Sequence, residues 1–375
     1  MNGPILTRVI ALVVLSGWAL ASQAIGATAP SPALLKAKQA AEAKGFVFET
    51  SRDEIIAKAK KEGRLRALSS LDPSSFKPMT DSFKKKYPFI DFQIHELTGT
   101  EAIQRQLLEL KAGTVKDWDV GHASQDHYDD YPAHALKIDI LGMAEQGVLK
   151  INPKMVDPDN RLIASVATGL CAIAYNKTQI APERVPNQLE DILRPEFKGR
   201  KIVVDVRPYC MAALMVSQGE EWVVNHARKL KEQEPVWVRG NTRALTAISI
   251  GEYQMHQLTN YHSCLRATWK DKTKSLACKV VEPVPARLQE PGFVFKNAAN
   301  PNAALLFLEH QASPEGQKIL DEIEPMKSSI FGSGEVSKQV QGKKISLNDF
   351  TTYSKTERWM KMVLEAYGFP KAEIR

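Results

Sequence analysis

Residues 61–70 read KEGRLRALSS and residues 87–101 read YPFIDFQIHELTGTE. Each contains a short strand-like run, Leu65–Leu68 and Ile90–Glu96, that ends in small polar residues, Ser69-Ser70 and Thr98-Gly99-Thr100. A helical pattern follows each run, with Phe76, Met79 and Phe83 on one face of the first helix and Ile103, Leu107 and Leu110 on one face of the second. Apolar residues three and four apart mark helices, and short β-prone runs bounded by turn residues mark strands. The strand, polar turn, helix order is the pattern of an α/β protein.

The same order recurs down the chain. Trp118–His122 leads into Ala123-Ser124-Gln125-Asp126, Lys201–Val206 into Arg207-Pro208-Tyr209, and Val236–Val238 into Gly240-Asn241-Thr242 and a helix that ends at Gly251. Before the first strand, Ser51-Arg52-Asp53-Glu54 has capping-box spacing for a helix that Gly63 ends. Ser31 to Lys44, rich in Ala and Lys, reads as an earlier helix. These alternations predict an α/β fold with mainly parallel strands.

In open α/β sheets, ligands bind outside the carboxyl ends of the strands. The free N–H groups at helix starts carry partial positive charge and suit anions. Ser69, Ser70, Thr98, Thr100, Glu101, Ser124, Arg207, Tyr209, Asn241 and Arg243 sit in such turns and are the candidate ligand-facing residues. The same residue types also cap helices without any ligand, so a binding site requires that several converge. The polar stretch Asp126-His127-Tyr128-Asp129-Asp130-Tyr131 follows one strand end and reads as an exposed helix start.

Compartment follows from the first thirty residues. Arg8 precedes an apolar run from Val9 to Leu20, and small residues follow at Ala21, Ser22, Ala24, Gly26 and Ala27. This is the design of a secretory signal peptide, expected over 1–24 with an extension over 25–50. The run falls short of the roughly 20 apolar residues of a membrane span. Four cysteines suit an oxidising compartment and allow three pairings. Proximity favours Cys264 with Cys278, which leaves Cys171 with Cys210. Lys and Arg number 50 against 43 Asp and Glu, a modest excess scattered along the chain. That pattern does not make a nucleic-acid patch, and a basic balance in an exported protein accords with an anionic ligand.

Several ordered segments resemble the type-2 periplasmic binding proteins, and within them the extracellular solute-binding group that includes ferric-iron-binding proteins. They are Lys61-Glu62-Gly63-Arg64-Leu65, Phe83-Lys84-Lys85-Lys86-Tyr87-Pro88, Asp117-Trp118-Asp119-Val120 and Ala172-Ile173-Ala174-Tyr175-Asn176. Phe197-Lys198-Gly199-Arg200-Lys201-Ile202, Asn260-Tyr261, Asn300-Pro301-Asn302-Ala303-Ala304 and Ser313-Pro314-Glu315-Gly316-Gln317 follow in the family's order. The resemblance implies two α/β lobes around a hinged ligand cleft, with crossing strands near Ala164–Tyr175 and Lys279–Ala286. Lobe 1 is expected over 51–164 and 285–335 and lobe 2 over 165–284, with C-terminal helices over 336–375 packed across both.

The function it implies is that of a periplasmic binding component, a monomer that delivers a small ligand to an ABC importer permease and has no enzymatic or nucleic-acid role. Cofactors are expected to be none, unless iron(III) is the transported ligand. By the same resemblance Glu101, Tyr261 and His262, the last in place of the family's second tyrosine, are the expected iron ligands, with Asn260 beside them. Phenolate and carboxylate oxygens suit a hard cation. The other expected cargo is an organic anion, phosphonate or sugar phosphate held by the Ser, Thr and Asn residues with Arg207 and Arg243. An alternative reading is an exported thiaminase-like cleft enzyme, with Cys210 as nucleophile in the first turn of a helix. No Gly-x-Ser-x-Gly elbow, phosphate-binding loop or His-Glu-x-x-His helix accompanies it.

Overall fold

Two long strands carry the architecture, and both are buried along almost their whole length. The computed structural model describes residues 30–369; the expected signal peptide and its cleavage site lie outside them. In chain order the strands are β1 Arg64–Ser69, β2 Asp91–Glu96, β3 Val120–His122, β4 Ile163–Asn176 and β5 Ile202–Asp205. They continue with β6 Val236–Val238, β7 Met255–Asn260, β8 Leu276–Lys279, β9 Val284–Val294 and β10 Ile345–Asn348. All join one sheet in the order β2-β1-β3-β9-β4-β7-β5-β6, with β10 added on β9 and β8 on β4.

Helices α1 Pro32–Glu42, α2 Arg52–Glu62, α3 Phe76–Lys86, α4 Thr100–Lys111 and α5 Ile140–Glu145 come before β4. Then follow α6 Tyr209–Glu232, α7 Asn241–Ser249, α8 Tyr261–Lys270, α9 Pro301–Ala312, α10 Pro314–Ile323, α11 Glu335–Gln339 and α12 Tyr353–Tyr367. Ser51 caps α2 by accepting from the Glu54 N–H, and Gly63 ends it in the left-handed conformation at φ 66°. Gly219, at φ 79° and ψ 160°, breaks α6 into two segments, and the Ser346 hydroxyl accepts the Ser217 N–H just before the break.

Strand direction bears out the parallel reading on the flanks and qualifies it at the centre. β1 pairs parallel with β2 and β3, and β5 with β6 and β7, but β4 runs antiparallel to β7, β8 and β9. Counting strand–helix alternations finds the parallel flanks and misses the long central pair. The second long strand also lies later than expected, at Val284–Val294 rather than Lys279–Ala286.

Two main cores flank that pair. One gathers Ile55, Leu65, Phe83, Phe92, Met143 and Phe307, and the other Ile173, Val204, Leu214, Val223, Met255 and Val363. Helix α12 supplies Trp359, Met360 and Tyr367 to the second core, although it is last in the chain.

Candidate functional site

Arg287 is the residue around which the site is built. It lies in β9 opposite Gly169 of β4 and Asn348 of β10, and it is 7% exposed. Its guanidinium stacks over the Tyr209 ring at 4.7 Å. The Nη1 and Nη2 groups donate long bonds, 3.5 Å to the Gln125 side-chain oxygen and 3.4 Å to that of Asn260. Nε has no partner. Among the described residues no carboxylate pairs with it, and burial pushes its guanidinium down from the ordinary arginine value. Arginine does not give up its proton in proteins, so this is a buried cation that no carboxylate pairs with directly, Asp126 acting on it only from a distance. Such a charge is costly unless an anion pairs with it.

The surroundings suit an anion. A cavity of about 100 Å³ is lined by Arg287 together with Asp205, Arg207, Tyr209, Asn241, Gln257, Thr259, Asn260 and Tyr367. Helices α6, α7 and α8 begin at its wall, and no side chain caps any of the three N-termini. Their free N–H groups add positive potential. Asp205, the carboxylate in the lining, is already engaged. It accepts from the Arg207 N–H at 2.9 Å, the Arg207 guanidinium at 3.2 Å and the Gly240 N–H at 3.3 Å, which fixes the turns before α6 and α7. The Thr259 and Tyr367 hydroxyls are buried and unpartnered, as is Arg287 Nε. Each buried polar group left without a partner costs about 1–3 kcal/mol. The three residues that carry these atoms all line this one cavity.

A second cavity of about 180 Å³ shares Tyr209 and Arg287 and opens toward Ser70, His122, Ser124, Gln125, Asp126, Gln289, Glu290 and Lys327. Its buried charges are largely paired. Glu290 accepts from the Ser70 hydroxyl at 2.6 Å and lies 3.6 Å from His122, and Lys327 lies 3.4 Å from Glu324. Burial pushes the His122 imidazole down, toward its neutral form. Two contacts join the turns after β1 and β3 to the helices α6 and α8. The Tyr209 hydroxyl donates to Asp126 at 3.2 Å, and Arg266 pairs with Asp72 at 2.6 Å.

The candidates from sequence divide sharply. Arg207, Tyr209, Asn241 and Asn260 line the first cavity, and Ser70, Ser124 and again Tyr209 line the second. Ser69 is buried beneath them, accepting from the Leu71 N–H at 3.2 Å. Thr98, Thr100 and Glu101 are exposed and line neither cavity. Helix α4 starts one residue later than a Thr98–Glu101 capping box requires, with Gly99 as its cap, and the Thr98 hydroxyl turns back to Glu96 at 2.7 Å. Arg243 is exposed on α7.

The expected iron set of Glu101, Tyr261 and His262 also lies outside both cavities. Tyr261 packs against the cluster of Leu170, Val284, Ala286, Val336 and Val340. His262 is buried, with Nδ1 unpartnered. Burial first, and then Lys327, Arg266 and Arg287, hold its imidazole well below the usual value. Three positive groups around His262 disfavour a cation there. Among the described residues, no three His, Cys, Asp or Glu side chains gather as a metal site. Cys210 is bonded to Cys171, and Cys264 to Cys278. This removes the nucleophile from the thiaminase-like alternative.

Sequence reasoning passed over Arg287, Thr259, Gln257 and Tyr367. Arg287 does leave a trace: it is a charge inside Val284-Pro285-Ala286-Arg287-Leu288, an otherwise apolar strand run. Thr259 and Tyr367 look like ordinary strand and helix residues.

A family model described as bacterial extracellular solute-binding protein matches residues 134–346. No curated protein matches the chain. Solved structures share its fold. The apo ferric ion-binding protein A of Pasteurella haemolytica is 18% identical with a TM-score of 0.63, covering 83% of this chain and 100% of that one. A Trichodesmium IdiA/FutA protein in complex with iron and citrate is 21% identical with a TM-score of 0.61, over 81% and 99% of the two chains. The substrate-binding protein of an ABC transporter from Agrobacterium tumefaciens is 16% identical with a TM-score of 0.58, over 82% and 96%.

Proposed function

The chain belongs to the bacterial extracellular solute-binding proteins, and from that premise we propose that it is the periplasmic binding component of an ABC importer, carrying a small anion on Arg287. The buried guanidinium with no direct ion pair carries this reading. A carboxylate, phosphate or phosphonate would supply the missing charge and accept from its planar fork. The uncapped starts of α6, α7 and α8 support the same charge.

We assign 51–164 and 285–335 to lobe 1 and 165–284 to lobe 2, with the C-terminal helices, described up to residue 369, packing back across them. The two main cores on either side of β4 and β9 support that division. Arg287 sits at the seam, so an anion there touches both lobes. A ligand that contacts both halves binds the closed form more tightly and shifts the population toward it. The permease is the partner for which that closed form is presented.

Iron(III) is the second reading, favoured by the iron carried by the Trichodesmium neighbour together with citrate. On this chain the cationic surroundings of Arg287 suit the accompanying anion better than the metal. Native mass spectrometry of protein prepared from the periplasm, paired with metal analysis, tests the cargo. A bound organic or phosphorus oxyanion without metal is the expected result. Near-stoichiometric iron with no accompanying anion contradicts the anion reading.

A further inference from the structure

We propose that the cargo is a short oxyanion bearing at least one hydroxyl, which the Thr259 and Tyr367 hydroxyls recognise while Arg287 holds its charge. This rests on the anion reading above and goes further by naming the ligand's other end. Thr259 is 1% exposed and Tyr367 is 3% exposed, and neither hydroxyl has a partner among the described residues. Both line the cavity that Arg287 lines. They come from β7 and from the last residue of α12, elements far apart in sequence, so no single local fold requirement explains both.

The Tyr367 ring packs at 4.7 Å from the Trp237 ring, an apolar contact that a phenylalanine would make equally well. Only the hydroxyl distinguishes tyrosine here, and it is buried without a partner in a residue that lines the cavity. A hydroxyl both donates and accepts, so a ligand hydroxyl satisfies either group. An ammonium fits less well, because Asp205, the carboxylate of this lining, is held by Arg207 and Gly240. The cavity of about 100 Å³ beside Arg287 has room for a short chain. Sites built to hydrogen-bond a substrate hydroxyl reject analogues that lack it.

The test uses matched pairs in which a methyl replaces each hydroxyl. They are 2-hydroxyethylphosphonate against propylphosphonate, glycolate against propionate, and glycerate against 2-methylbutyrate. Each is titrated calorimetrically into the mature protein, into Tyr367→Phe, into Thr259→Val and into Arg287→Met, with thermal unfolding confirming that each variant is folded. In the wild type at least one hydroxylated member should bind about tenfold or more tighter than its partner. Tyr367→Phe and Thr259→Val should shrink that ratio toward one, while Arg287→Met weakens both members alike. Equal affinity within every pair, still dependent on Arg287, overturns the hydroxyl inference and leaves the anion reading standing. A preference that survives in both hydroxyl variants also overturns it. Binding of none of the six by the wild type overturns the inference as stated, and the oxyanion recovered from the native protein then decides the anion reading separately.

Discussion

Arg287 and Tyr209 do different jobs, and substitution separates them. Arg287→Lys keeps the charge but loses the planar fork and the ring stack. Tyr209→Phe keeps the stack and loses only the bond donated to Asp126 at 3.2 Å. One such hydrogen bond contributes about 0.5–1.5 kcal/mol. Calorimetry should therefore show a loss of tenfold or more for the lysine variant and less for Tyr209→Phe. A larger loss for Tyr209→Phe would place the binding energy on the Asp126 contact. At this scale the sequence was partly legible. Arg207, Tyr209 and Asn241 were visible because polar residues at the junction of strand and helix point to the open edge of an α/β sheet, whereas Asn260 came only with the family resemblance. Glu101 followed the same rule and misled, because its helix begins at Thr100, capped by Gly99, in an exposed turn. Thr259 and Tyr367 have no local signature, since only tertiary packing leaves their hydroxyls unpartnered.

At the level of elements, the strands and helices up to β2 were readable because their caps and periodicities are local. The pairing of the central antiparallel strands was not, since β4 and β9 are separated by more than a hundred residues and their pairing is a long-range choice; the family resemblance alone placed a crossing strand near Ala164–Tyr175, where β4 lies. The Cys171–Cys210 bond ties the start of α6 to β4 across 39 residues, and Cys264–Cys278 ties α8 to β8 across 14. Loop-closure entropy makes the longer link worth about 4 kcal/mol and the shorter about 3 kcal/mol. Replacing each pair with alanines should lower denaturant stability in that order. The first pair should also weaken ligand binding, because Cys210 is the residue after Tyr209 and lines the cavity. Unchanged affinity in a folded Cys171→Ala/Cys210→Ala variant would mean that packing alone positions that helix start.

For the molecule as a whole, acid is the informative perturbation. Burial holds His226, His256 and His310 at about 4 in the folded state. An unfolded histidine titrates near 6.5. Between those values the unfolded chain binds protons that the folded chain refuses, so stability falls as pH drops through that window. Each such histidine contributes a slope of up to about 1.4 kcal/mol per pH unit. The Asp72 carboxyl behaves differently. Bonds from Ser74, followed by Arg266, hold it at about 2, so its pairing with Arg266 persists until the pH falls below the ordinary carboxylate range. Thermal unfolding midpoints should therefore decline from pH 6.5 to pH 4 while the Asp72–Arg266 contact between the turn after β1 and α8 stays intact. A midpoint that is flat over that range would show that the three imidazoles are solvated.

The most direct test of the central claim is a titration of wild-type protein and Arg287→Met with the anion recovered from the native protein. Removing the buried cation should cost at least a hundredfold in affinity, equivalent to about 2.7 kcal/mol, with the fold retained. An Arg287→Met variant that binds that anion within threefold of wild type would contradict the account.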